Sequence, residues 1–256
     1  MRSIVTRGIA RSRGHPFPAR EPPYNSGVRF SPSSRGRLTQ YDLARFPADT
    51  LFDRLGRALC GAGSLPRKEL YEAWEVARRA RRRFRGGRVG DLGGGHGLLA
   101  HAMLLLDDSS PSAIVVDRAL PPSAAAIHQA LAASWPRLAR RVAFLNVALE
   151  HTDLGADDVV VSCHACGALT DRVLDAAIAA RARVAVLPCC HDLDTSPASP
   201  LRGWVDPALA IDINRATRLE AAGYEVWTQT IPAAITPKNR LLLGAPSVMT
   251  RGRAVR

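Results

Sequence analysis

The sequence predicts an α/β fold: a doubly wound, Rossmann-like sheet of seven strands with a helical N-terminal extension. Three observations predict it. Short apolar strands alternate with helical segments between residues 89 and 187, which is typical of a parallel sheet covered by helices on both faces. A glycine-rich turn joins the first of these strands to the helix that follows it. Two strand-like segments after residue 223 complete the sheet.

The composition is that of a globular protein without membrane spans. The 256 residues are 46% hydrophobic, which suffices for one large domain or for one domain with extensions. No apolar run approaches the roughly 18 residues that span a bilayer, and no signal-peptide core follows Met1. The five cysteines are few and unevenly placed, which favours reduced thiols and a cytoplasmic location.

The net charge of +12 and the isoelectric point of about 10.6 favour an anionic partner, with nucleic acid first. Lys68 and Lys238 are the only lysines among the 35 basic residues, so arginine dominates. A GC-rich genome would produce the same bias. The charge alone therefore supports RNA binding only modestly.

A helical segment precedes the sheet. Asp49 is predicted to cap a helix that runs from Leu51 through Leu59, and a second helix is predicted from Ser64. The second helix ends in a run of arginines: Arg78, Arg79, Arg81, Arg82, Arg83 and Arg85. These cations either complement the helix dipole at a solvated end or form a ridge that contacts phosphates just ahead of the glycine-rich turn.

The glycine-rich turn carries the pattern Asp-x-Gly-x-Gly-x-Gly, with its members at Asp91, Gly93, Gly95 and Gly97. Glycines at alternate positions let the backbone pass close under a bulky ligand, and the amides of the next helix face that ligand. A dinucleotide-binding turn would place its third glycine at position 98, which is Leu98. The spacing instead resembles the first motif of class I S-adenosylmethionine-dependent methyltransferases. The resemblance implies that these four residues bind S-adenosylmethionine.

Further residues of a nucleoside site are expected where the next strands end. The second strand ends in Asp117, about twenty residues after the turn, where such folds place a carboxylate on the ribose hydroxyls. Ser162, at the end of the fourth strand, is also assigned to the cofactor site. In similar methyltransferases an acid after the third strand holds the adenine. Here the register gives Ala148, with Glu150 or Asn146 as substitutes.

Two strands that are expected to be neighbours lead into cysteines and histidines. The strand of residues 158–162 runs into Cys163-His164-Ala165-Cys166, and the strand of residues 184–187 runs into Pro188-Cys189-Cys190-His191. Because parallel neighbours end at the same edge of a sheet, these side chains are expected on the ligand side, beside the glycine-rich turn.

The segments HACGALTD and PCCH are similar to paired motifs of one methyltransferase subgroup. That subgroup includes the eukaryotic tRNA ribose 2′-O-methyltransferases and the methyltransferase-like C-terminal domain of glutathione-transferase-like proteins. The similarity covers about residues 66–247 as architecture, although the zinc-finger cysteines of the eukaryotic tRNA enzymes are absent from the sequence. It implies an enzyme that methylates RNA at a hydroxyl or amine, with tRNA as the expected partner.

Three interpretations of the cysteines and histidines remain open. In the first, His164 or His191 is the general base, since imidazole titrates near neutral pH. In the second, the cysteines of the first segment bind zinc together with the cysteines or the histidine of the second. In the third, the cysteines pack as small buried hydrophobic residues. A nucleophilic Cys189 is a minor alternative. No residue is assigned to a metal, and the residues assigned as catalytic are His164, Cys189, Cys190 and His191.

The remainder of the chain closes the sheet. A helix is predicted from Asp206 to Gly223, followed by the strands Tyr224–Thr230 and Arg240–Ala245 as an antiparallel pair. Lys238, between these two strands, either holds a phosphate or lies in an ordinary solvated turn.

Four segments are therefore predicted: a disordered basic tail at 1–37, a helical extension at 38–85, the methyltransferase domain at 86–248 and a disordered basic tail at 249–256. The first tail cannot bury enough apolar surface to offset its ordering entropy. It is an RNA-contacting tail, the product of a mis-called start codon or an organelle transit peptide. The expected function is methyl transfer to RNA. The alternatives are a protein or small-molecule methyltransferase and a non-catalytic module that binds the cofactor or zinc.

Overall fold

The computed structural model of the chain describes residues 31–193 and 200–247. Most of the predicted N-terminal tail and the whole of the predicted C-terminal tail lie outside the described residues. Residues 34–37 are attached to the folded body, because the carbonyls of Ser34 and Gly36 accept hydrogen bonds from the amides of Lys68 and Arg67, both at 3.0 Å. The folded body therefore begins before the predicted border at residue 37.

The described residues form six α-helices and seven strands. The helices are α1 Leu51–Ala62, α2 Arg67–Arg83, α3 Leu98–Leu106, α4 Ser123–Ser134, α5 Ala168–Ala180 and α6 Pro207–Ala221. The strands are β1 Val89–Leu92, β2 Ala113–Asp117, β3 Val142–Asn146, β4 Val159–Ser162, β5 Arg183–Val186, β6 Tyr224–Thr230 and β7 Arg240–Pro246. Short 3-10 helices lie at Gln40–Arg45, Pro136–Arg140, Leu149–His151 and Pro200–Gly203. None of the described helices is long and apolar enough to cross a membrane.

All seven strands belong to one sheet, in the order β3-β2-β1-β4-β5-β7-β6. Neighbouring strands from β3 to β5 are parallel, whereas β7 runs antiparallel to both β5 and β6. The predicted seven-stranded doubly wound sheet and its final antiparallel pair are confirmed. The strand order reverses between β1 and β4, so right-handed crossovers put α3 and α5 on opposite faces. The carboxyl ends of β1, β2, β4 and β5 meet at one edge, which is called the carboxyl edge below.

The central strands are buried from both sides. β4 carries three successive valines, residues 159–161, without exposed surface, as expected for a central strand of a parallel sheet. α3 is buried over almost its whole length and packs against both the sheet and α2. α2, which belongs to the predicted helical extension, is therefore part of the layer that covers α3.

The first helix begins at Leu51, as predicted, but its capping residue is one position later than expected. Thr50 caps α1, because its hydroxyl accepts a hydrogen bond from the Asp53 amide at 3.1 Å. The predicted cap, Asp49, lies 3.7 Å from Arg57 instead.

The residues Thr170 and Asp171, which follow the cysteines of the first segment, lie inside α5. Gly167 precedes the helix, and its φ of 58° turns the chain there. The Thr170 hydroxyl donates to the Ala165 carbonyl, and Asp171 lies 2.7 Å from Arg215 of α6. Gly167 is therefore the residue that precedes the helix, Thr170 links the helix to the preceding loop, and Asp171 links it to α6.

The basic end of α2 is built into the fold. Arg81 is buried, lies 3.2 Å from Asp107 and donates to the Ser110 hydroxyl at 2.7 Å. Arg79 pairs with Glu75 of its own helix. These contacts follow the C-terminal end of α3, at the edge of the sheet opposite the carboxyl edge. The structure therefore does not place the arginines beside the glycine-rich turn, although they precede it in sequence.

Candidate functional site

The glycine turn, residues 93–97, packs against β2 and leaves one side open. Gly93, Gly95 and Gly97 have φ values of 64°, 51° and 75°, a region that favours glycine. A Cβ on Gly97 would lie 2.8 Å from the Val115 side chain, so packing requires this glycine. A Cβ on Gly95 would meet no atom of the described residues within 4 Å. Gly95 is thus the position at which the turn presents bare backbone to open space.

Asp91 lies in β1, beneath the turn. Its Oδ2 accepts a hydrogen bond from the Ala100 amide at 3.1 Å, which ties the start of α3 to the strand. Burial raises the pKa of Asp91 to about 7, because a low dielectric disfavours the charged carboxylate. Asp91 also lines a small cavity with Gly93, His96 and His164. The predicted acid of the motif is therefore both a structural acceptor and a group that faces the turn.

Asp117 is the last residue of β2 and contacts the glycine turn. One of its carboxylate oxygens accepts from the Gly95 amide at 3.1 Å, and the other accepts from the Ala119 amide at 3.1 Å. The residue is half-buried. The structure thus brings the predicted ribose carboxylate and the open glycine of the turn into direct contact.

Of the three candidates for the adenine contact, Asn146 is the one that pairs in register with Asp117. It is exposed, and its Oδ1 accepts from the Leu120 amide at 3.4 Å. Glu150 lies 3.0 Å from Arg172, and Ala148 precedes a short 3-10 helix. Asn146 is therefore favoured among the three.

Ser162 lies inside the sheet rather than on its ligand side. It is only 1% exposed, and its hydroxyl donates to the Leu92 carbonyl at 2.7 Å. This bond joins the ends of β4 and β1. The structure therefore gives Ser162 a supporting role beneath the site. The sequence shows only that the residue ends a strand, and does not show whether its side chain faces the ligand or the neighbouring strand.

α2 contributes acidic residues that sequence reasoning missed. Glu69 Oε2 lies 2.5 Å from Nε2 of His96, which belongs to the glycine turn. Glu72 is buried, with one oxygen 2.7 Å from Lys68 Nζ. The spacing of Glu69 and Glu72 puts both on one helical face, and His96 stands inside the motif. The spacing of the two glutamates and the histidine in the motif are visible in the sequence. The helical pattern does not reveal, however, which element the glutamate-bearing face of α2 covers.

His164 follows β4 and lies close to α2. It lines the small cavity beside Asp91. Burial lowers the pKa of His164, although Glu69 and Glu72 act in the opposite direction. Burial therefore favours the neutral imidazole.

The loops after β4 and β5 run side by side at the carboxyl edge, as predicted. The Gly167 amide donates to the Cys190 carbonyl at 3.1 Å, and the sulfur atoms of Cys166 and Cys189 are 3.1 Å apart. The sulfur atoms of Cys166, Cys189 and Cys190 all lie within 4.8 Å of one another. These three residues are called the thiol cluster below. Cys163 is buried and does not belong to it.

The cysteines of the two segments differ in how readily they ionise. Burial raises the pKa of Cys163 well above its usual value, and burial together with the Cys166 thiol raises the pKa of Cys189. The pKa of Cys190 is lowered by contact with the Cys166 thiol and by Lys238, whose Nζ lies 3.7 Å from the Cys190 sulfur. A thiolate nucleophile at Cys189 is therefore disfavoured.

His191 is held by an aspartate from α6. Its Nε2 lies 2.8 Å from Asp212 Oδ1. Asp212 also accepts from Arg240 Nε at 2.7 Å. Burial alone would raise the pKa of Asp212, but the hydrogen bonds from His191 and Arg240 lower it. The two predicted histidines thus lie in different environments. His164 lies at the glycine turn, and His191 is oriented by a charged carboxylate.

Comparison with known proteins bears on this arrangement. A protein-family model described as a methyltransferase domain matches residues 68–195, which is half of the chain. No curated protein matches the sequence.

Several solved methyltransferase structures resemble the chain at low sequence identity. An O-methyltransferase family protein from Burkholderia thailandensis is 20% identical, with a TM-score of 0.48 over 83% of this chain and 64% of that protein. Precorrin-6y C5,15-methyltransferase from Geobacter metallireducens GS-15 is 15% identical, with a TM-score of 0.45 over 68% and 87%. Ribosomal protein L11 methylase from Lactobacillus delbrueckii subsp. bulgaricus is 15% identical, with a TM-score of 0.45 over 68% and 78%.

The family model covers α2, the glycine turn and both cysteine-containing loops. The glycine turn and the carboxylate at the end of β2 lie within the matched residues. The chain therefore belongs to the methyltransferase-domain family and is a class I S-adenosylmethionine-dependent methyltransferase.

Proposed function

We propose that the protein binds S-adenosylmethionine at the carboxyl edge and transfers its methyl group to a hydroxyl or amine of an RNA, with tRNA as the preferred class. The observation that carries the cofactor assignment is the contact between Gly95 and Asp117. Gly95 leaves bare backbone beneath open space, and its amide is bonded to the carboxylate. A nucleoside needs both features, a floor without Cβ atoms and an acceptor for its ribose hydroxyls.

Different residues of the site would contact different parts of the cofactor. Gly93, Gly95 and Gly97 would form the floor, and Asp117 would accept from the ribose. Asp91 would face the ammonium group of the methionine part, since a nearby cation favours the charged carboxylate despite its burial. The bound cofactor supplies a methyl group that is already activated on a sulfonium. The chain itself has to position the acceptor and remove its proton.

His191 is the proposed general base. Its hydrogen bond to Asp212 fixes the orientation of the ring, as the second member of a base–carboxylate pair does. His164, beside the glycine turn, is assigned to the cofactor side of the site. Cys189 and Cys190 precede His191 and border the acceptor position, without a nucleophilic role.

The RNA assignment rests on charge and on exposed rings at the carboxyl edge. Arg118 follows Asp117, and its side chain is 69% exposed. Tyr41 and Trp204 are each 86% exposed. Tyr41 lies in the 3-10 helix that pairs with the start of α2, and Trp204 lies three residues before the start of α6. Exposed aromatic rings beside cations stack on unpaired bases and bind the backbone phosphates.

The test is transfer of labelled methyl groups from S-adenosylmethionine into total RNA, with total protein and small-metabolite extracts as parallel acceptors. The expected label appears in tRNA-sized RNA and is removed by ribonuclease. His191→Ala is expected to lower kcat by about 10²–10⁴-fold, and Asp212→Asn is expected to lower kcat with little change in the KM for the cofactor. His164→Ala is expected to raise the KM for the cofactor instead.

Each alternative has its own outcome. Label confined to protein or small molecules would contradict the RNA assignment and would leave the methyltransferase assignment intact. Cofactor binding without label in any fraction would contradict catalysis and indicate a binding module. An equal loss of kcat in His191→Ala and His151→Ala, a histidine of the 3-10 helix that follows β3, would remove the specific role of His191.

A further inference from the structure

The thiol cluster has the geometry of a metal site. Its sulfur atoms come from two loops that follow adjacent strands, and they lie within 4.8 Å of one another. Zinc binds thiolates at about 2.3 Å, so two sulfurs on one tetrahedral ion are about 3.8 Å apart. A single ion can therefore contact all three sulfurs with only small adjustments of their side chains.

The backbone holds the two loops together independently of any ion. The Leu187 amide donates to the Ser162 carbonyl at 2.9 Å, and the Gly167 amide donates to the Cys190 carbonyl at 3.1 Å. On its other side, the Gly167 carbonyl accepts from the buried Arg215 at 3.1 Å. Because these bonds fix the loops, little ordering entropy remains to be lost when an ion binds.

Lys238 supplies the charge that such a site needs. Three thiolates exceed the charge of a divalent ion by one, and a cation that donates to a thiolate offsets that excess. Lys238 Nζ lies 3.7 Å from the Cys190 sulfur. It is one of only two lysines in the chain, and the turn between β6 and β7 brings it to the cluster. This contact adds a third role for Lys238 to the phosphate contact and the solvated turn considered from the sequence.

We propose that Cys166, Cys189 and Cys190 bind one zinc ion, with the fourth position open toward solvent because Cys166 is exposed. The site differs from the ligand set considered on sequence grounds, since Cys163 is buried outside the cluster and His191 is bonded to Asp212. Zinc binding at this cluster does not depend on the identity of the methyl acceptor.

Metal content and cobalt spectroscopy test the proposal on the full chain. Protein purified under reducing conditions is expected to hold one zinc ion per chain, measured by mass spectrometry of the metal and by a colorimetric zinc chelator. Replacement by Co²⁺ is expected to give an intense sulfur-to-cobalt charge-transfer band in the near ultraviolet. Cys166→Ser, Cys189→Ser and Cys190→Ser are each expected to lose the ion, and Lys238→Met is expected to weaken zinc binding about tenfold or more.

Cys60→Ala is the matched control, because Cys60 is a free thiol in α1 outside the cluster. It is expected to retain one ion per chain. Absence of zinc and of the cobalt band in the wild-type protein would overturn the proposal, as would a disulfide between Cys166 and Cys189 in the reduced preparation. Equal loss of zinc from Cys60→Ala would do the same. Cys166 is exposed, so Cys166→Ser is expected to keep the wild-type circular dichroism spectrum and decides the matter if a buried variant fails to fold.

Discussion

At the scale of single residues, alanine variants of Gly95 and Gly63 distinguish the effect of backbone strain from the effect of ligand contact. Both have left-handed φ values, 51° and 63°, and both would point a Cβ into space free of described atoms. Replacing either by alanine is expected to cost about 1 kcal/mol of unfolding free energy. Only Gly95→Ala is expected to weaken cofactor binding, by at least about tenfold, because its methyl group would occupy the floor of the site.

The two measurements are urea denaturation for stability and calorimetry for the cofactor. If Gly63→Ala, at the end of α1, weakened the cofactor as much as Gly95→Ala, general strain would explain the loss and the floor assignment would fail.

Asp117 allows the ribose contact to be measured directly. Asp117→Ala is expected to weaken cofactor binding by about 1–3 kcal/mol, the loss typical of charge-assisted hydrogen bonds. Asp117→Asn keeps an acceptor for the Gly95 amide and is expected to lose less. Calorimetry of Asp49→Ala, an exposed aspartate near α1, gives the control. Unchanged affinity in Asp117→Ala would remove this carboxylate from the site.

The burial of Asp91 predicts a pH-dependent stability. Its pKa is about 7 in the fold and near 3.8 when unfolded, so the folded state keeps a proton that the unfolded state releases between these values. This group therefore lowers the free energy of unfolding as pH rises from about 4 to 7. Asp91→Asn is expected to gain roughly 2–3 kcal/mol relative to wild type between pH 5 and pH 8. Urea denaturation at several pH values measures the difference, and a pH-independent difference would contradict it.

At the scale of elements, the basic end of α2 is expected to matter for folding. Arg81 is 2% exposed, and its guanidinium bonds Asp107 and Ser110. Removing one partner of a buried pair leaves an uncompensated charge, so Arg81→Met is expected to cost roughly 3–5 kcal/mol. Arg82→Met, at an exposed position of the same helix, is expected to change stability by less than about 0.5 kcal/mol. Equal urea midpoints for the two variants would disprove the structural role.

Some features of the fold and the site could be predicted from the sequence, and others could not. Strands such as β4 and the turn at Gly95 were predictable, because apolar runs and glycine spacing are local signals. The position of Glu69 at the turn, the burial of Arg81 and the inward direction of Ser162 were not, because each depends on which element packs against the residue. From the sequence alone, a charged side chain is expected to be exposed to solvent, because its buried partner is not known.

At the scale of the whole molecule, exposed arginines lie at the carboxyl edge of the sheet and at the opposite edge. A net charge of +12 would attract RNA wherever the arginines lie, so affinity alone would not locate the proposed acceptor. Arg118 lies at the carboxyl edge, next to Asp117, and Arg82 lies at the opposite edge, next to the buried Arg81. Replacing either by alanine removes the same charge.

If the acceptor RNA lies across the carboxyl edge, only Arg118→Ala weakens tRNA binding. Its plot of log affinity against log salt should be shallower by about one phosphate contact, while Arg82→Ala keeps the wild-type slope. Filter binding of labelled tRNA from about 50 to 200 mM salt gives both slopes. Equal slopes for the two variants would mean that the net charge attracts RNA without placing it at the methyl group. An RNA acceptor then requires contacts other than Arg118, such as stacking on Trp204.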